Sequence, residues 1–318
     1  MVKQRDLLFD FVKGVLIFLV VWGHVIQAGD SIIFHIIYSF HMPLFIFVSG
    51  YFAMRTLRKD VQDVGKKVFN RLIVPALIWS GVALMIHLLR GYERGLGSMV
   101  MDSLRDVWFL YCVAFLYVLG FVVFKAERWK YVVAVLLATF GYAVYKFPGV
   151  VYIEYFQPIR QWPLFVMGFA YYEYKKKFES RPLLWGVVIV SVAVYSSLMI
   201  WLASTHPIEY IRSHENYVLR ALIYQTGAIT WFVLFTMLYK VIAKYPHGGD
   251  VVSSLGRNTM GIYVMHGKIL LLMIMLMPYN VLAHVPSCIT AIVLTIVTYL
   301  LTLLLKKSPC ASKYLLGE

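Results

Sequence analysis

Asp10-Phe11-Val12-Lys13-Gly14-Val15-Leu16-Ile17-Phe18-Leu19-Val20-Val21-Trp22-Gly23-His24 holds an acid and a base at its start, an imidazole at its end and no other ionisable side chain. A charge inside hydrocarbon costs roughly 2.5–3.5 kcal/mol at the centre of a span on the gentler insertion scales. Lys13 and His24 therefore need a polar interior or a function. They stand eleven residues apart, which is about three helical turns and roughly 16 Å along the axis. One face thus carries a cation at one depth and a titratable ring at another. Asp10 precedes Lys13 by three residues, the spacing of a same-face ion pair. Such a helix suits a site reached from both sides of a membrane. After a short polar break the chain continues as Ser39-Phe40-His41-Met42-Pro43-Leu44-Phe45-Ile46-Phe47-Val48-Ser49-Gly50-Tyr51.

Outward from this stretch the apolar blocks repeat. Of 318 residues, 61% are hydrophobic and the mean hydropathy is +0.73, against about 45–50% apolar in a soluble domain. The pattern predicts an all-α, polytopic membrane bundle, one integral-membrane domain over residues 1–318. No soluble domain is expected, because every polar interval is shorter than a domain of about 50 residues. At about 20 apolar residues per span, ten spans are expected: Leu8–Gln27, Ile33–Met54, Leu72–Leu89, Val107–Phe124, Tyr131–Lys146, Pro163–Tyr174, Leu184–Ala203, Val218–Val241, Leu255–Met277 and Cys288–Leu305. The first is read as a retained span, being too long for a signal-peptide core and lacking a small-x-small cleavage site. Pro43, Pro75 and Pro163 fall near expected span starts, where a missing N–H is tolerated.

The net charge of +14 would point to nucleic acid in a soluble protein. Here the basic residues gather in alternate loops, so they mark topology and anionic headgroups, and no nucleic-acid partner is expected. Twenty-one of the 30 Lys and Arg fall in one set of loops, around Lys3, Arg55–Arg71, Lys125–Lys130, Lys175–Arg181, Lys240–Arg257 and Lys306–Lys313. Seven, from Arg90 to Arg220, fall in the opposite set. This asymmetry puts both termini in the cytoplasm, Lys13 in the cytoplasmic half and His24 near the outer face.

Cys112, Cys288 and Cys310 have no CxxC spacing, which argues against a disulfide framework and a zinc site. His206, His214, His247 and His284 give no metal-ligand pattern, so no metal is expected, and His35 and His87 read as interfacial. HExxH, GxSxG and P-loop motifs are absent. His24 either hydrogen-bonds across to a neighbouring helix or serves as a general base for a hydroxyl. Lys13 either snorkels beside Asp10 or belongs to the same catalytic face. The cluster Arg55, Arg58, Lys59, Lys66, Lys67, Arg71 is a positive-inside signal or an anion site for phosphates.

Read together, these residues resemble the acyltransferase-3 family of integral-membrane O-acyltransferases. Lys13-x10-His24 matches its first-span signature, a basic residue followed after ten others by histidine, and Lys13-Gly14 its basic-glycine pair. His41 to Phe45 with Ser49 to Tyr51, Arg71-Leu72-Ile73-Val74-Pro75, Trp108-Phe109-Leu110 and Leu255-Gly256-Arg257-Asn258-Thr259-Met260-Gly261-Ile262-Tyr263-Val264-Met265-His266 resemble its later motifs in order. One place departs. Some members carry Arg-x-x-Arg before the third span, where this chain has Lys67-Val68-Phe69-Asn70-Arg71, and Arg55-Thr56-Leu57-Arg58 has that spacing earlier.

The resemblance implies transfer of an acyl group, usually acetyl, from cytoplasmic acetyl-CoA to a hydroxyl of a surface glycan or its lipid-linked precursor, in a bacterial inner membrane. His24, with Lys13 and Asp10, would be catalytic, as general base or transient acyl carrier. Lys13, Arg55, Arg58, Lys67 and Arg71 would meet the phosphates of CoA. His41, Trp108, Tyr263 and His266 would contact the acceptor. The rival class is a secondary transporter or flippase, for which repeat symmetry or paired broken spans are expected and not found in the sequence. A scaffolding role leaves His24 and His41 unexplained.

Overall fold

In the computed structural model the run from Leu7 to Ile26 is one uninterrupted helix, α1, with Asp10 in its first turn and His24 in its last. Both suit the helix dipole, an acid at the positive end and a histidine at the negative end. The structure describes residues 6–26, 32–90, 95–144, 158–179, 182–205, 217–276 and 285–318. The histidines His206, His214 and His284, the charges Lys3, Arg5, Arg94, Lys146, Arg181 and Arg212, and the span ends Gln27 and Met277 lie outside them.

Among the described residues every regular element is helical. α2 is Ile32–Leu57, α3 Val61–Val68, α4 Val74–Leu89, α5 Leu96–Arg105, α6 Trp108–Lys125 and α7 Lys130–Val144. α8 is Pro158–Glu179, α9 Pro182–Thr205, α10 Tyr217–Ile242, α11 Asp250–Arg257, α12 Thr259–Leu276, α13 Ser287–Lys306 and α14 Pro309–Leu316. Among the described residues seven helical stretches are long and apolar enough to cross a membrane: α1, α2, α3 continued through α4, α6, α9, α10 and α13. An eighth is α11 with α12, bent by 79° at their junction. The chain is therefore a multi-pass membrane protein. The two remaining expected spans coincide with α7, 15 residues long, and α8, whose end holds Lys175 to Lys177.

Pro43 lies inside α2, not near its start, and Pro163 lies inside α8. Pro43 has no N–H to offer the carbonyl four residues back. That carbonyl, of Ser39, faces Gly227 of α10, where a Cβ would stand 3.3 Å from its oxygen. Pro75 does open α4 as expected. The basic stretch after α2 is helix rather than loop, α3 continuing through a wider π turn, Phe69–Ile73, which carries Arg71.

The described residues form two compact units, Met1–Val48 with Tyr174–Leu300, and Ser49–Glu173 with Leu301–Glu318. In the first, α1 packs on α11, α12 and α10, and α9 packs on α10. Phe9 and Phe47 both meet Phe232, and Phe40 stacks on Trp231 at 4.3 Å. In the second, α4 packs on α5 and α14, and α6 on α7 and the π turn. Gly50 presses on the Phe165 backbone, and Trp162 donates to the Ala134 carbonyl at 3.0 Å. α1 and α2 are the enclosed spans, 56% and 67% buried, whereas α9 is 17% buried. Exposed Ile189, Ile200, Leu300 and Leu304 would be costly in water and are at home in lipid.

Candidate active site

The predicted pair forms at the start of α1, Lys13 Nζ standing 2.8 Å from Asp10 Oδ1. Beside it α11 approaches as closely as two backbones can. A Cβ on Gly14 would stand 1.8 Å from the Val252 carbonyl oxygen, and one on Gly256 1.7 Å from that of Asp10. Small residues permit such contact where lipid offers helices no hydrophobic drive to associate. The chain then breaks at Asn258 and rises as α12. At the other end of α1 the His24 and His266 rings lie 4.9 Å apart, centroid to centroid, inclined by 58°. Two motifs from opposite ends of the sequence thus meet twice.

His41 of α2 completes a group of three imidazoles, since an electrostatic interaction couples His24 to both His41 and His266. His24 is exposed, while His41 and His266 are buried. His266 donates its Nδ1–H to the Tyr263 carbonyl at 2.6 Å and reaches that of Ile262 at 3.2 Å. His41 donates Nδ1–H to the Ile37 carbonyl at 2.6 Å. A neutral ring fixed this way presents Nε2 as a lone-pair acceptor. The group can therefore accept a proton or a hydroxyl hydrogen bond. Tyr38 sets its ring edgewise on His41 at 4.9 Å, and Gly23 leaves it room, a Cβ there standing 2.9 Å from the Tyr38 ring. Tyr263 lies 5.9 Å from the His266 ring.

α2 is held near His41 by a buried polar chain. Ser39 and Tyr195 share a hydrogen bond of 2.7 Å, Trp231 donates to the Tyr195 hydroxyl at 3.1 Å, and Ser39 donates to the Ile36 carbonyl. Three helices, α2, α9 and α10, are tied by one hydroxyl.

The second unit carries the other expected site residues. Arg55 and Arg58 both lie over the Tyr172 ring, at 5.7 and 5.9 Å. Lys67 donates to Thr56 Oγ1. Tyr117 also bonds Thr56 and interacts electrostatically with Arg71. Glu173 is held by Lys130 and Tyr131, each at 2.5 Å. Trp108 begins α6 in this unit, half-buried beside Phe109.

Of the predicted residues, Asp10, Lys13, His24, His41, Tyr263 and His266 therefore belong to the first unit, and Arg55, Arg58, Lys67, Arg71 and Trp108 to the second. Sequence reasoning passed over Tyr38, Asn258, Tyr195 and Tyr172. Only Asn258 had a signal, standing inside the late motif between Arg257 and Thr259.

A family profile described as "Acyltransferase domain" matches residues 7–307. The chain belongs to the acyltransferase-3 family of membrane proteins. It is 36% identical over 128 residues to a protein named nodulation protein NolL of Sinorhizobium fredii, covering 35% of this chain and 34% of that one. It is 23% identical over 310 residues to a nodulation protein NolL of Mesorhizobium japonicum, covering 85% and 78%. The first match thus spans about a third of that relative's length. No solved structure matches the chain.

Proposed function

We propose that this protein transfers an acyl group, acetyl in the first instance, from acyl-CoA to a hydroxyl of a surface glycan or lipid-linked sugar. The observation that carries the reading is the pairing of His24 with His266 in a member of an acyltransferase family. An alcohol becomes a competent nucleophile as its proton leaves. In direct transfer an imidazole nitrogen takes the hydroxyl proton, the oxygen forms a bond to the thioester carbon, the C–S bond breaks and the thiolate is reprotonated. In a relay His24 carries the acyl group first. Lys13, oriented by Asp10, would face the donor's phosphate end, while Tyr263 and His41 would meet the acceptor. On the second unit Arg55, Arg58, Lys67 and Arg71 form a candidate phosphate surface, and Trp108 a candidate sugar contact. The accompanying topology is ten spans with both termini cytoplasmic, embedded in the lipids of a bacterial inner membrane.

His24→Ala should abolish O-acylation of the cell's glycans, read by mass spectrometry, while expression stays normal. Full activity in both His24→Ala and Lys13→Ala would sink the site assignment. The broken span at α11–α12 is a feature that transporters share. Purified protein that binds no acyl-CoA, yet moves a glycolipid into sealed vesicles, would replace the enzyme with that rival.

A further inference from the structure

Two oxygens on the α1–α11 seam are buried without a hydrogen-bond partner: Oδ2 of Asp10, whose other oxygen holds Lys13, and Oδ1 of Asn258 at the break. Their residues are 6% and 5% exposed. The orientation of the Asn258 amide is fixed, because its Nδ2 donates to the Ser254 carbonyl at 2.7 Å. What remains is an acceptor. The residue two before it, Gly256, rests on the Asp10 carbonyl, so Asp10 and Asn258 flank one helix contact. A buried oxygen left unmatched is destabilising, and two acceptors with no donor ask for a ligand that brings N–H or O–H groups.

We propose that Oδ1 of Asn258 accepts a pantetheine amide N–H of the acyl-CoA donor, with Oδ2 of Asp10 a second open acceptor on the same helix contact. The inference rests on the acyl-transfer reading and deepens it by setting the register of the donor arm. Asn258 precedes His266 by eight residues, about 12 Å along α12. An extended pantetheine arm measures about 10 Å from the amide nearer the nucleotide to the thioester carbon. An arm anchored at the break therefore delivers its thioester to the His24–His266 pair. The arm is flexible and amphipathic, so one anchored amide decides how far it reaches.

The test is the affinity of the full chain in lipid nanodiscs for CoA and for a CoA analogue whose nucleotide-proximal amide is replaced by an ester. The analogue lacks only the N–H. The unsubstituted chain should bind it about fivefold more weakly, the worth of about one hydrogen bond. Asn258→Leu should weaken CoA by a similar factor and erase the difference between the two ligands, the non-additivity expected of partners. Equal affinity of the unsubstituted chain for both ligands would overturn the inference and assign the oxygens to a buried water only. So would an ester penalty that persists in Asn258→Leu. If that variant does not fold, the comparison on the unsubstituted chain decides alone. Failure of the unsubstituted chain to bind CoA at all would remove the donor assignment, and this inference with it.

Discussion

His41 and His266 each give one nitrogen to a carbonyl of their own helix, so the backbone decides which nitrogen is left for chemistry. In the proposed reaction that remaining nitrogen accepts the proton. The guanidinium groups behave differently. Arg58 is exposed yet lies over Tyr172, while its neighbour Lys59 reaches Asp63 at 4.0 Å, both side chains in solvent. A flat guanidinium stacked on a ring is pre-organised for an anion, whereas a solvated ammonium is not. Arg58→Gln should weaken CoA affinity about tenfold, within the range of a charged hydrogen bond, and Lys59→Gln should leave it unchanged. Equal effects would make the cluster a topology signal only. Asp10, Lys13 and His24 were legible at this scale because a helix fixes what residues three and eleven apart can share. His266 was legible as a motif member but not as the partner of His24.

At the scale of helices, the site depends on α11 lying against α1. Gly14 and Gly256 each meet backbone atoms closer than 2 Å when a Cβ is added, and backbone cannot yield as a side chain can. Gly14→Val or Gly256→Val should destabilise the protein by about 3 kcal/mol or more, read as a melting temperature lower by roughly 5–10 °C in detergent. Gly65 of α3 has nothing within 4 Å of its Cβ position, so Gly65→Ala should be neutral or stabilising by up to about 1 kcal/mol. The same melting curves compare all three. Most span boundaries were readable from hydropathy to within a few residues, but the helical stretch expected from Leu72 already begins at Val61, because its basic first turns hide it from a hydropathy reading. The break at Asn258 was not readable, because the run from Leu255 onward is apolar enough to continue, and the bend comes from α11 turning onto α1. Pro43 misled in the opposite sense. It reads as a helix start, yet the Ser39 carbonyl that it leaves behind is accommodated beside Gly227.

For the whole molecule, seven helical stretches among the described residues, or eight with the bent pair, are long and apolar enough to cross a membrane, and the proposed ten-span topology adds α7 and α8. That topology places the exposed Cys310 of α14 in the cytoplasm. In a Cys288→Ser background, a membrane-impermeant maleimide should label Cys310 only after cells are permeabilised. Labelling of intact cells would invert the orientation or change the number of spans. By itself the sequence determined the material and the chemistry: apolar helices of spanning length, a cation and an imidazole on one helical face, and the motifs of one family. Helical periodicity and hydropathy are local, so a single chain segment suffices to fix them. The tertiary structure alone decided which distant residues meet: Gly256 on Asp10, His266 on His24, Tyr172 beneath two arginines. Those meetings depend on backbones close enough to touch and on a bend no local pattern announces, and packing between remote helices settles both.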